Sequence, residues 1–66
     1  MQVVINGQSR DLPNGATAAD IIELLGLQGK RLAMEINEEI LPRSQYPDHT
    51  LRDGDHVEIV HAIGGG

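Results

Sequence analysis

The last apolar segment, Val57-Glu58-Ile59-Val60-His61-Ala62-Ile63, is the first constraint any fold of this chain must satisfy. Val57, Ile59, His61 and Ile63 alternate with Glu58, Val60 and Ala62, the period of two that marks a β-strand. Apolar residues stand on both of its faces, so the segment belongs inside a sheet rather than at an edge. The remainder of the chain must therefore supply a strand on either side of it.

Those strands are legible upstream. Met1, Val3 and Ile5 alternate with Gln2 and Val4, and Asn6-Gly7 follows as a hairpin turn whose residues tolerate positive φ. The return from Gln8 to Leu12 is polar and charged, as suits an exposed edge strand, and Pro13-Asn14-Gly15 ends it. Thr17-Ala18-Ala19-Asp20 then reads as a capping box opening a helix, with Ala18, Ile21, Leu24 and Leu25 as its apolar stripe. Asp20 and Glu23 fall toward solvent, and Gly26 is the left-handed stop. A helix of about two to three turns is too short to persist without packing on a sheet.

A second hairpin is expected from Arg31 to Leu41. Leu32, Met34 and Ile36 point one way, Ala33 and Glu35 the other, with the turn at Asn37-Glu38. Asn accepts positive φ readily and Glu does so less easily. Pro42 and Pro47 bracket an irregular, polar stretch through Asp48, and Asp53-Gly54-Asp55 turns into the closing strand. Hairpin, helix, hairpin and final strand in this order predict an α+β fold. Its closing strand runs parallel to the first in a mixed sheet, with the helix packed across one face. The predicted core is Met1, Val3, Ile5, Ile21, Leu25, Val57 and Ile59. Residues 1–63 form one domain, and 64–66 a flexible tail.

Composition narrows the function. A chain of 66 residues folds into one small domain, with little room to enclose both a substrate and a catalytic constellation. It has no Cys, hence no disulfide framework, thiolate metal site or nucleophilic thiol. Ten acidic against five basic residues, a net charge of −5, argue against nucleic acid, and one Tyr without Phe or Trp offers no base-stacking platform. No apolar run approaches the roughly 18 residues of a membrane span, and the start lacks a signal-peptide pattern, so a soluble cytoplasmic protein is expected.

Side-chain chemistry is sparse. His56 and His61 lie five residues apart on one strand, facing opposite sides about 16 Å apart, and cannot share a metal. His49 falls in the irregular stretch, and Asp53-Gly54-Asp55 lacks the alternating oxygens of a calcium loop. Ser9 and Ser44 have no nucleophile-elbow pattern around them. No metal and no bound cofactor are expected.

What remains is the terminus. Gly64-Gly65-Gly66 grows straight out of the strand pattern and buries nothing. A frayed end accounts for it, and so does a slender arm that presents a carboxylate to a narrow channel. A carboxylate accepts a nucleophile only after gaining a leaving group, and adenylation by ATP is the common route. Attack by sulfur on the adenylate would leave a thiocarboxylate at Gly66.

The combination of these features resembles the ThiS family, the ubiquitin-like β-grasp sulfur carriers of thiamine biosynthesis. The likeness runs through Asn6-Gly7, the helix from Thr17, and Glu35-Ile36-Asn37 to Ile40-Leu41-Pro42-Arg43. It is most specific at Leu51-Arg52-Asp53-Gly54-Asp55-His56-Val57-Glu58-Ile59-Val60 and Gly64-Gly65-Gly66. Glu38 departs from the pattern, since such carriers often have Gly there.

The resemblance implies a carrier that catalyses nothing. A ThiF-like, E1-like adenylating enzyme would use ATP to activate Gly66, and a ThiG-like thiazole synthase would receive the sulfur. Gly64, Gly65 and Gly66 would thread each partner's channel. Val60 is the candidate apolar docking residue, and the final strand and the Glu35–Leu41 hairpin are expected to flank the tail. The alternatives are the small subunit of molybdopterin synthase, with the same chemistry, and a ubiquitin-like protein modifier.

Overall fold

The closing strand takes the interior slot that its pattern demands. In the computed structural model, which describes residues 1–61, the elements are β1 (Gln2–Ile5), β2 (Gln8–Asp11), α1 (Ala18–Leu24), β3 (Leu32–Ile36), β4 (Glu39–Leu41), a 3-10 helix (Arg43–Asp48) and β5 (His56–His61). The five strands form one sheet in the order β2-β1-β5-β3-β4. β5 runs parallel to β1 and antiparallel to β3, and the two hairpins β1–β2 and β3–β4 are antiparallel. The expected mixed sheet with one helix across it is the observed architecture. Ala62, Ile63 and the tail Gly64–Gly66 lie outside the described residues.

Local chemistry explains the elements. Asn6 and Gly7 adopt φ of 50° and 82°, so both centres of the first turn are left-handed, as the hairpin requires. At the N-terminus of α1 the Asp20 amide donates to Thr17 Oγ1 (3.3 Å), and the Thr17 amide donates to Asp20 Oδ2 (2.8 Å). This reciprocal pair satisfies two amides that the helix leaves unpaired. Leu25 caps the other end.

One face of the sheet meets α1. The buried set combines Val3, Ile5, Met34, Ile36, Leu41, Val57 and Ile59 from the strands with Ala18 and Ile21 from the helix, and Leu12, Ala16, Tyr46 and Leu51 close its margins. Met1 and Leu25 of the expected core are only partly buried against it. Leu24 departs further, at 52% exposed. At about 100° per residue, Leu24 projects some 120° away from Ala18, whereas Ile22 falls within about 40° of it. Ile22, partly buried, is accordingly the residue that completes the stripe.

Two other expectations are corrected. The stretch between Pro42 and Asp48 is a 3-10 helix, and it buries Tyr46 against the core. Arg43 Nη2 donates to the Lys30 carbonyl (2.6 Å), tying this helix to the loop before β3. The second correction concerns β5, which is interior by hydrogen bonding but covered on one face only. Glu58 and Val60, on the side away from α1, are exposed.

The Asn37-Glu38 turn forms where expected, with φ of 52° and 71°. Glu38 thus holds a conformation costing an L-residue roughly 1–2 kcal/mol, which glycine escapes at the expense of more unfolded-state freedom. Glu38→Gly should therefore stabilise the chain by about 0.5–1 kcal/mol net. Urea denaturation measures this directly, and an unchanged or lowered midpoint would refute it.

Candidate functional site

The feature that could present a terminal arm is the end of β5, so the backbone that holds that end comes first. On one side, strand pairing with β1 stops at Ile5↔Val57. Asn6 then takes over. Its amide donates to the Val57 carbonyl (2.9 Å), and its side-chain Oδ1 accepts the Ile59 amide (2.8 Å). The turn residue thereby extends the β1 edge by one further rung. On the other side the ladder with β3 continues to Val60↔Ala33 and His61↔Leu32. The last two described residues of β5 are therefore held by β3.

A second asparagine secures the beginning of the strand. The Asn37 amide donates to the His56 carbonyl (2.8 Å), and Asn37 Oδ1 accepts the His56 amide (3.0 Å). Asn37 Nδ2 donates to Asp55 Oδ1 (3.0 Å), while Asp55 Oδ2 accepts the Arg52 amide (2.8 Å). Both oxygens of this buried carboxylate are engaged. Asp53 Oδ1 accepts the Gln2 amide, joining the same turn to the start of β1. The sequence presents Asn6, Asn37 and the Asp53-Gly54-Asp55 group only as turn formers. Their second role, pinning β5, carries no periodic signal.

The sheet face away from α1 is the other half of the site. Val60 is 53% exposed there, opposite Ala33. The next pair on this face is Glu58 with Glu35, and Ile40, 73% exposed, stands beyond Glu35 on β4. The expectation that the Glu35–Leu41 hairpin flanks the tail is corrected in part. Its turn, Asn37-Glu38, is bonded to His56, five residues and about 16 Å from His61. What lies beside the end of β5 is Leu32, the first residue of β3. Glu35 and Ile40 share the exposed face with Val60 but stand behind the exit.

The remaining candidates are placed as follows. Gly64, Gly65 and Gly66 lie outside the described residues. His56 and His61 are exposed at opposite ends of β5, and His49 is half-buried after the 3-10 helix. Among the described residues no three His, Asp or Glu side chains gather as a metal site. No helix among them is long and apolar enough to cross a membrane.

If the Asn6 side chain holds the end of β5, Asn6→Gly should separate that role from turn formation, because glycine keeps the positive φ. Loss of the acceptor for a part-buried amide should cost about 1–2 kcal/mol. Hydrogen exchange should quicken at the Ile59 amide beyond the global loss of stability. Protection at Ile59 that falls only in step with Met34 would show that Asn6 merely makes the turn.

Comparison with known proteins bears on what this arrangement is. The ThiS family model matches residues 3–66. A sulfur carrier protein ThiS from Thermus thermophilus is 41% identical over 64 residues, covering 97% of this chain and 98% of that protein. A thiazole synthase from Paramagnetospirillum magneticum is 41% identical over all 66 residues, but the chain spans only 20% of its length. The crystal structure of the thiamine biosynthesis protein ThiS from Geobacter metallireducens superposes with a TM-score of 0.85 at 28% identity, covering all of both chains. The sheet order, the single helix and the β-grasp connectivity are thus shared with a solved member, and the chain belongs to the ThiS family.

Proposed function

We propose that this chain is a sulfur carrier of thiamine biosynthesis whose Gly66 carboxylate is adenylated and then converted to a thiocarboxylate. The observation that carries the reading is the relation of the terminal glycines to the fold. They follow within a few residues of the end of β5, the one strand bonded to both hairpins. A full-length match to ThiS carriers supports the same reading.

The chemistry follows from the groups present. A carboxylate resists nucleophilic attack, and transfer of AMP from ATP supplies the leaving group. Attack by sulfide-level sulfur on the acyl adenylate forms the carbon–sulfur bond, expels AMP and leaves the thiocarboxylate. The thiocarboxylate sulfur then acts as the nucleophile in the next enzyme. Gly64 and Gly65 carry no side chain to obstruct a channel. Ordering each residue costs roughly 1–2 kcal/mol, which the partner's contacts must offset. The chain is substrate and donor here, and ATP is bound by the activating enzyme.

Two partners are implied, a ThiF-like adenylating enzyme and a ThiG-like thiazole synthase. The thiazole synthase that contains a stretch similar to this chain supports the second pairing. The three terminal glycines span only about 10 Å at full extension, so the body of the carrier must rest against each channel mouth. One arm cannot serve both channels at once, and the two enzymes therefore take turns. Val60, beside the exit on the bare face, is the apolar residue placed to meet them. Dependence on ATP supports a cytoplasmic setting for this reading.

Incubation with ATP, a sulfur donor and the adenylating enzyme, read by intact mass, tests the reading. Sulfur should replace one oxygen in the full chain. Deleting Gly66, or adding a bulky residue after it, should abolish loading and leave the fold intact, because one residue displaces the reacting carbonyl by roughly 3.5 Å. Normal loading of the shortened chain would exclude this terminus as the carrier site. In cells, loss of the protein should create a thiamine requirement that the thiazole moiety cures.

A further inference from the structure

The register of β3 against β5 sets Glu35 directly opposite Glu58 on the face away from α1. Like charges facing each other across two strands destabilise a sheet, and a glutamine at either position would pair there without repulsion. Among the described residues the ion pair found is that of the Met1 amine with Asp11, so neither glutamate forms an ion pair with a cationic side chain among them. Folding therefore gains nothing from this rung. Apolar neighbours bracket it, with Val60 and Ala33 on the rung nearer the end of β5 and Ile40 beside Glu35 on β4. Val60 and Ile40 are 53% and 73% exposed and Glu58 is exposed beside them, while Glu35 and Ala33 are half-buried.

We infer that the Glu35–Glu58 rung is a docking element that receives an arginine from the enzyme holding the Gly66 tail, while apolar side chains of that enzyme cover Val60 and Ile40. The inference rests on the sulfur-carrier reading and names the chemistry of the docking surface. Reach is the first argument. The five residues from Ala62 to Gly66 extend at most about 18 Å beyond His61, and Glu58 stands about 10 Å behind His61 along the strand. An enzyme that closes on Gly66 has the end of β5 within reach, and Val60 and Glu58 are the exposed side chains of its bare face nearest that end.

Charge complementarity is the second argument. Two adjacent carboxylates on a chain of net charge −5 favour a cation, and the planar guanidinium can donate to both at once where a lysine is a point charge. Docking would thereby relieve a repulsion that the free carrier tolerates. Such a contact mainly accelerates encounter. That suits a carrier obliged to leave one enzyme for the next.

The arrangement makes an unusual pair of demands on a single substitution, and both can be read on the full chain. Glu35→Gln, Glu58→Gln and the double variant should each raise the urea midpoint of the free protein. The same variants should associate with the ThiF-like adenylating enzyme at least about threefold more slowly at low ionic strength, with a flatter dependence on salt. A midpoint that fails to rise, or an unchanged association rate, overturns the inference. So does a wild-type midpoint that magnesium alone raises while the variants stay unmoved, because the rung would then be an ion site. Intact mass after loading keeps the two readings apart. A wild type that takes up sulfur while its variants dock normally removes only this inference, whereas a wild type that takes up none removes the carrier reading and this one with it.

Discussion

The structure depends on β5 being hydrogen-bonded along both of its edges. The hairpins β1–β2 and β3–β4 do not touch as neighbours in the sheet, and β5 alone joins them. An isolated two-stranded hairpin is marginally stable in water, and a seven-residue helix without a sheet to pack on does not persist. The last strand in sequence therefore completes every other element. Backbone pairing alone would leave its ends under-held, because β1 stops at Ile5 and β3 gives way to a turn at Asn37. Asn6 and Asn37 supply the missing rungs with their side chains, each from a left-handed turn position.

That construction has an asymmetric result. All the large buried side chains gather on the α1 side, where Ile21 and Met34 are fully enclosed. A chain this short cannot cover both faces of a five-stranded sheet, since burial per residue falls with size. The second face remains open, with Val60 and Ile40 among polar neighbours. For a protein that stands alone this would be an unused surface. Under the proposed carrier function, it is the surface available to the partner enzymes.

Local conflicts in the structure are distributed accordingly. Glu38 sits at positive φ, Glu35 faces Glu58, and Val60 and Ile40 are exposed. Each runs against what folding alone would select, and these belong to β3, β4, β5 or the turn between them, with Leu24 at the end of α1 a further exposed apolar residue. Sequences depart from local consistency where function competes with stability. Val3, Ile21 and Val57 at the centre of the core are all buried.

Much of this was legible in the chain itself. Alternation in Val57–Ile63 demanded an interior strand, Asn6-Gly7 a tight hairpin, and Thr17 with Asp20 a helix start, because each is a local steric or hydrogen-bonding requirement of neighbouring residues. The terminal glycines by themselves left a frayed end and a presented carboxylate both open, and the carrier reading came from the resemblance of the whole chain to the ThiS family. What the sequence left open depends on contacts between distant residues. Tyr46 became core only because the 3-10 helix folds back on the sheet. Leu24 was lost to solvent because α1 is oriented by Ala18 and Ile21. Nothing periodic marks Asn37 as the clamp of His56, or Glu35 as the opposite of Glu58. Those pairings follow from the register of β3 on β5, and only the assembled sheet decides that register.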